Sequence, residues 1–272
     1  MASSEWWGYR VRYERTKHWI EGKGLEIGPG VNPQQVPSGA ETEYFDKRTT
    51  EQLEALMGKG VPVLVRPMKD IPDRFPKGAD YLIAHQVLEH TANPIQVLMQ
   101  WHRYLRNGGR MIISVPDSRF APGDKNRAET PIEHILMDYL WNRQDTDFES
   151  REHIFSFCHG WHKDGLIDYY KTFSAGDLTD HLLSESKRLE EHDLHWHASP
   201  PETWRKVIEL AAWFAGRSTT FDAIVDATDQ SEFAPEGEVI FIYRTLHKRG
   251  DRPQVLEDAE KKIRHALLQL TE

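Results

Sequence analysis

An α/β fold on one doubly wound, mostly parallel sheet is the architecture this chain predicts, and three observations carry it. Strand-like and helix-like stretches alternate between residues 24 and 118, the pattern of a parallel sheet covered on both faces. A short apolar strand runs into a glycine turn, Gly24-Leu25-Glu26-Ile27-Gly28-Pro29-Gly30, where glycine reaches backbone angles closed to other residues. A second stretch, Glu43-Tyr44-Phe45-Asp46, ends on a carboxylate 20 residues after Glu26.

The elements follow in order. Residues 1–22 form an N-terminal helical cap: 5–22 mix aromatic and basic side chains at helical spacing, with Tyr9, Arg12 and Tyr13 able to reach a ligand. Residues 23–118 form the ligand-binding half of the sheet, with strands at 24–27, 61–65, 79–84 and 110–116 and helices at 50–58 and 93–106. Residues 119–187 break the alternation and read as a mainly helical insertion over the active site. It comprises a loop from Arg119, a helix over Pro131–Asn142, the His153–His162 segment and a helix near 175–186. Residues 188–250 return to sheet and complete seven strands, with Arg188–His197, Thr220–Ala227 and Glu238–Tyr243 as strands and Pro201–Phe214 as a helix. The tail, 251–272, is an amphipathic helix with Leu256, Ile263, Leu267 and Leu268 on one side, expected to dock on its own domain.

Composition narrows the function. A chain of 272 residues, 39% hydrophobic, fits one elaborated domain. Its mean hydropathy of −0.65 and 28% charged residues describe a wet surface. No run approaches the roughly 18 apolar residues of a membrane span, and the first residues lack a signal-peptide pattern. The one cysteine, Cys158, excludes an intrachain disulfide and fits a reducing compartment. The expectation is a cytoplasmic protein, monomer or homodimer, without a membrane partner. A formal net charge of −9 argues against a nucleic-acid partner, which needs a basic face.

In open parallel sheets, ligands sit beyond the carboxyl ends of the strands, near the point where strand order reverses. Gly28–Gly30, Asp46, His85 and Asp117 all fall at such ends. With Leu25–Gly30 and Asp46 come His85-Gln86-Val87-Leu88-Glu89-His90, Leu105-Arg106-Asn107-Gly108-Gly109 and Ser114-Val115-Pro116, in that order. The series, over residues 20–118, resembles the class I S-adenosylmethionine-dependent methyltransferases, closest to the broad small-molecule group with a Rossmann-like fold. The resemblance thins beyond residue 120.

The resemblance implies S-adenosylmethionine as cofactor and S-adenosylhomocysteine as product. Gly28, Pro29 and Gly30 would bring main-chain groups to the cofactor, and Glu26 would order the turn and bind the ammonium through water. Asp46 would accept both ribose hydroxyls. Where the family often places an acid after the third strand, this chain has Pro67, with Asp70 displaced; Met68 would instead cover the adenine ring. His85 and Gln86 would border the cofactor, His85 facing the methyl group. Leu88 reads as core, and Glu89-His90 as the start of the next helix, holding the loop.

The expected reaction is direct methyl transfer to a small-molecule acceptor, aromatic or glycan-like, at oxygen in preference to nitrogen or carbon. A histidine near neutral pKa suits removal of the acceptor's proton. His85, His159 and His197 are the candidate bases, among a set that includes His134, His162 and His195. His195 and His197 alternate on the expected strand and would share a face. No metal is favoured; if one binds, His159, His162, His195 and His197 are its expected ligands. Cys158 reads as structural, and Asp117 as either a loop cap or a positioning group. Trp6, Trp7, Trp161 and Trp196 suit a ring-bearing acceptor. The alternatives are a metal-assisted methyltransferase, a cofactor-binding protein without catalysis, and an NAD-dependent oxidoreductase. The last is weakened because Gly28-Pro29-Gly30-Val31-Asn32-Pro33 lacks the final glycine of the dinucleotide fingerprint.

Overall fold

The computed structural model describes residues 7–58, 60–144, 153, 156–157, 160, 194–226 and 237–269. Seven strands make one sheet: β1 (Lys23–Ile27), β2 (Glu41–Asp46), β3 (Val65–Pro67), β4 (Ala79–His85), β5 (Leu105–Pro116), β6 (Ser218–Asp226) and β7 (Glu238–Leu246). Their order is β3-β2-β1-β4-β5-β7-β6. The first five are parallel, and β7 runs antiparallel between β5 and β6. The sheet is therefore mostly parallel but mixed. The order reverses at β1, which lies between β2 and β4, so a crevice opens beyond the ends of those strands.

The helices are α1 (Trp7–Thr16), α2 (Thr50–Met57), α3 (Ile71–Arg74), α4 (Pro94–Tyr104), α5 (Ile132–Leu140), α6 (Pro201–Phe214) and α7 (Gln254–Gln269). Local sequence explains their ends. Thr49 and Gln52 close a reciprocal capping box on α2, and Gly58 ends it at φ +64°. Asn93 accepts a hydrogen bond from Gln96 N at 3.0 Å and caps α4, whose first residue is Pro94.

Strands buried on both faces need apolar side chains at successive positions, and the central ones have them. Leu82 and Ala84 of β4, Met111 and Ile113 of β5, and Phe241 and Tyr243 of β7 point toward α4 and α6. There they meet Leu98, Trp101, Trp204 and Val207. The alternate residues Tyr81, Ile83, Ile112, Ile240 and Ile242 form a smaller cluster with Ile20, packed by Trp19 and Val36.

Three boundaries differ from the sequence expectations. The strand expected at 61–65 forms at Val65–Pro67, because pairing with Tyr44–Asp46 sets its register and leaves Leu64 68% exposed. Strand β5 starts at Leu105, within the stretch expected as helix to 106. Residues 194–200, expected in part as strand, have no regular secondary structure and join no sheet. Trp196 N donates to Glu89 O, Thr130 N donates to Ala198 O, and Ser118 N donates to Ser199 O, so these backbone groups are spent on loops rather than on a ladder. The helix expected near 175–186, most of 153–162, and the side chains of Ile263, Leu267 and Leu268 lie outside the described residues.

Candidate functional site

The turn after β1 is where the sequence is most constrained. Gly28 N donates to Phe45 O at 2.9 Å, tying the turn to β2. Gly28 and Gly30 hold φ of +67° and +54°, which costs any residue with a Cβ. A Cβ on Gly28 would also come within 2.7 Å of Val87 Cγ2, a stiff β-branched side chain. Gly28→Ala is expected to lower stability by about 1–3 kcal/mol, measured by denaturant unfolding. It should also weaken cofactor binding.

Around this turn lies a cavity of about 460 Å³. That falls within the range of roughly 300–1,000 Å³ usual for small-molecule sites. Glu26, Gly28, Pro29, Gly30, Asp46, Met68, His85 and Gln86, the eight residues expected around the cofactor, all line it. They come from β1, β2, β4 and the turns that follow β1, β3 and β4. Arg12 of α1, His90, Thr91 and Trp101 line it as well. Glu89 and His90 sit in a 3-10 turn, Leu88–His90, rather than at the start of α4.

The two acidic residues differ in environment. Glu26 is 2% exposed, and both its oxygens accept from Gln34 N, at 2.9 and 3.1 Å. Burial pushes its pKa up to about 8, partly opposed by the Gln34 hydrogen bond and the Arg12 charge. Asp46, 8% exposed, accepts from Arg48 N through Oδ1 at 2.8 Å, which holds the β2 turn. Arg12 Nε in turn donates to Glu238 at 2.9 Å, bracing α1 against β7.

His85 ends β4 with Nδ1 2.9 Å from Ser114 Oγ. Its Nε2 is buried without a hydrogen-bond partner among the described residues, although the residue lines the cavity. Burial first, then the Arg12 charge, holds its pKa well below the usual range, so the ring is neutral at working pH. Gln86 follows with φ +53°, an uncommon conformation for a residue with a side chain, and its N donates to Ser114 O. That bend turns the chain across the cavity rim.

The other candidate histidines lie elsewhere. His197 does not line this cavity; its Nε2 is 3.0 Å from Asp138 Oδ2, and its side chain is fully buried. His195 donates from Nδ1 to Asp124 Oδ2 at 2.7 Å, with Arg127 on the same carboxylate. Burial alone would lower the His195 pKa, but Asp124 outweighs it and raises it. The two rings do not sit on a strand, where alternation would have given them a shared face. Nor do they share a ligand cluster: His197 groups with His134, Asp138 and His153, and His195 with Glu89 and His90. The expected four-histidine metal set is thus split, and His159, His162, Cys158 and Trp161 lie outside the described residues. Asp117 binds Arg119 through both oxygens, at 2.9 Å from Oδ1 to Nε and 2.6 Å from Oδ2 to Nη2, and so caps its loop. His153 and Asp138 were missed by sequence reasoning. Only the i, i+4 spacing of His134 and Asp138 on α5 was a signal.

Part of the sheet is similar to a known family. Residues 38–113 match the family model described as a methyltransferase domain, which takes in β2 to β5 with Asp46, His85 and Gln86. An uncharacterized protein of Methanocaldococcus jannaschii is 27% identical over 114 residues, covering 40% of this chain. The match spans about half, 52%, of that curated relative's length. Among solved structures, an S-adenosylmethionine-dependent methyltransferase from Clostridium acetobutylicum aligns with TM-score 0.45 at 8% identity, covering 92% of this chain and 93% of that one. A putative one from Listeria monocytogenes aligns with TM-score 0.43 at 13% identity, covering 86% and 98%. The strand order, with an antiparallel β7, also departs from the all-parallel 3-2-1-4-5-6 order of the dinucleotide-binding fold. Over residues 38–113, then, the chain is similar to the methyltransferase domain family.

Proposed function

We propose that this chain transfers a methyl group from S-adenosylmethionine to an oxygen atom of a small-molecule acceptor, at the part of the cavity bordered by His85. The observation that carries the reading is His85, which lines a cavity that also holds two buried carboxylates and whose buried Nε2 has no hydrogen-bond partner among the described residues. A buried polar atom left unpaired costs stability, which favours a ligand that pairs it.

The residues present fit the cofactor. Gly28 and Gly30 leave the main chain open to an approaching ligand, Glu26 suits a cationic ammonium, and Asp46 suits a pair of hydroxyls. Met68 supplies apolar cover for a ring. The cofactor, when bound, supplies a methyl carbon already activated by its sulfonium. What remains for the chain is alignment, exclusion of water and removal of a proton. Orientation alone is worth on the order of 7–11 kcal/mol in favourable cases. His85 accepts the acceptor's proton at Nε2 when Ser114 Oγ accepts from Nδ1–H. Its depressed pKa keeps it in the neutral form that can do so, but makes it a weak base; alignment is then the larger contribution. Net charge −9 supports a small molecule over a nucleic acid as acceptor. Incubation with methyl-labelled S-adenosylmethionine and a panel of hydroxyl, carboxyl and amine acceptors tests this. Label on oxygen is expected, and label only on amines overturns the oxygen assignment.

Glu26 couples cofactor binding to pH. Its pKa of about 8 lies above the ordinary carboxyl value, so the empty site carries it mostly protonated at pH 7. Pairing with an ammonium requires the charged form, so binding releases a proton. Affinity for S-adenosylhomocysteine is expected to be at least tenfold weaker at pH 6 than at pH 8. Proton release at pH 7 should appear as a dependence of calorimetric heat on buffer ionisation enthalpy. The sign for stability is opposite: this group's contribution is complete below the unfolded pKa and is lost as pH rises to about 8.

A further inference from the structure

Away from the residues that line the cavity, three imidazoles and a carboxylate converge. His134 and Asp138 sit one turn apart on α5, His153 follows, and His197 arrives from the irregular segment before α6. Around Asp138 Oδ2 lie His197 Nε2 at 3.0 Å, His134 Nε2 at 3.3 Å and His153 Nε2 at 3.9 Å. His134 Nε2 and His153 Nε2 are 3.2 Å apart, and all four donor atoms lie within 4.8 Å of one another. A tetrahedral ion with bonds of about 2.05 Å needs donors about 3.3 Å apart. The observed separations scatter around that edge.

For His153 the outer hydrogen bond points a lone pair inward. His153 Nδ1 is 2.7 Å from Trp196 O, and a carbonyl only accepts, so Nδ1 carries the proton and Nε2 presents its lone pair to the cluster. A backbone carbonyl on the outer nitrogen is the usual brace for a ligating histidine. Arg143 Nε donates to Asp138 Oδ1 at 3.2 Å, leaving Oδ2 as the oxygen aimed at the three rings. Asp138, His153 and His197 side chains are 1%, 5% and 0% exposed and shielded from water, while His134, 31% exposed, borders solvent. A packed core without an ion would have little reason to gather three ring nitrogens around one oxygen in so dry a place.

We propose that His134, Asp138, His153 and His197 bind one divalent transition-metal ion, zinc foremost, which fastens α5, residue 153 and the 194–199 segment together. Three imidazole nitrogens and one carboxylate oxygen suit zinc and its first-row neighbours over magnesium or calcium. The set supplies four donors from the described residues and none of its members lines the cavity, which makes the ion structural rather than a Lewis acid for the transfer. The inference is independent of the acceptor and of the methyl-transfer reading.

The test uses full-length protein purified without an affinity tag. Elemental analysis is expected to find one zinc per chain. Cobalt added to the metal-depleted protein should give the visible d–d absorption of a four-coordinate nitrogen and oxygen site, and zinc should raise the melting temperature of depleted protein by several degrees. His153→Ala and Asp138→Asn should lose the stoichiometric ion, while His18→Ala, an exposed residue, keeps it. If depleted protein melts at the same temperature with zinc and with chelator and shows no four-coordinate cobalt spectrum, the site does not exist. Stoichiometric zinc retained in both variants would place the ion elsewhere and equally overturn the assignment. Should a variant fail to fold, the cobalt and melting measurements on the unsubstituted chain decide alone.

Discussion

Replacing His85 with alanine is expected to lower turnover by about 100-fold while leaving affinity for S-adenosylhomocysteine within about threefold. The expectation follows from where the ring ends. Nδ1 is engaged with Ser114 on β5, the residue lines the cavity, and Nε2 has no hydrogen-bond partner among the described residues. Loss of the ring removes a group positioned for the acceptor and leaves Gly28–Gly30, Glu26 and Asp46 in place. His85→Asn, which restores a polar atom but not a basic one, separates positioning from proton removal. Because burial holds the His85 pKa far below neutrality, its own protonation does not limit activity between pH 6 and 8. Equal losses in binding and turnover would make the ring a cofactor-packing group instead.

Asp46→Ala is expected to weaken cofactor binding at least tenfold, the loss that follows when a charge-assisted hydrogen bond of about 1.5–3 kcal/mol is removed. Asp46 closes β2 and lines the cavity opposite the glycine turn. Its carboxylate also holds the backbone of Arg48. Asp46→Asn keeps that turn-forming acceptor and discards the charge, so it should fall between the parent and the alanine variant. Calorimetric titration reads both. Unchanged affinity in the alanine variant would remove Asp46 from the site.

Much of this arrangement was legible in the sequence because it is local. Gly28 and Gly30 follow an apolar strand, Asp46 ends the next, and His85 ends a third; in a parallel sheet those ends share one edge. No long-range information beyond strand order was needed to bring them together. Strand β3 was misplaced because the apolar run Val61-Pro62-Val63-Leu64-Val65 resembles a strand, whereas ladder bonds from Tyr44–Asp46 decide which part pairs. His195 and His197 misled for a related reason. Alternating polar and apolar side chains describe any extended segment, and periodicity does not reveal whether the backbone bonds to a strand or to loops. The cluster around Asp138 was hidden more deeply. His153 meets α5 through a tertiary contact 19 residues from His134, and His197 comes from 59 residues beyond Asp138. No spacing rule connects them. Glu26 shows the same limit in electrostatics. Its position was readable, but its upward shift depends on complete burial beneath the turn.

The most direct single measurement is calorimetric titration of the unsubstituted protein with S-adenosylhomocysteine at pH 8, with NAD as the control. One micromolar-affinity site for S-adenosylhomocysteine and no heat with NAD is the predicted result. Binding of NAD, or of neither ligand, would contradict the assignment of the Gly28–Gly30, Glu26 and Asp46 cavity as the cofactor site.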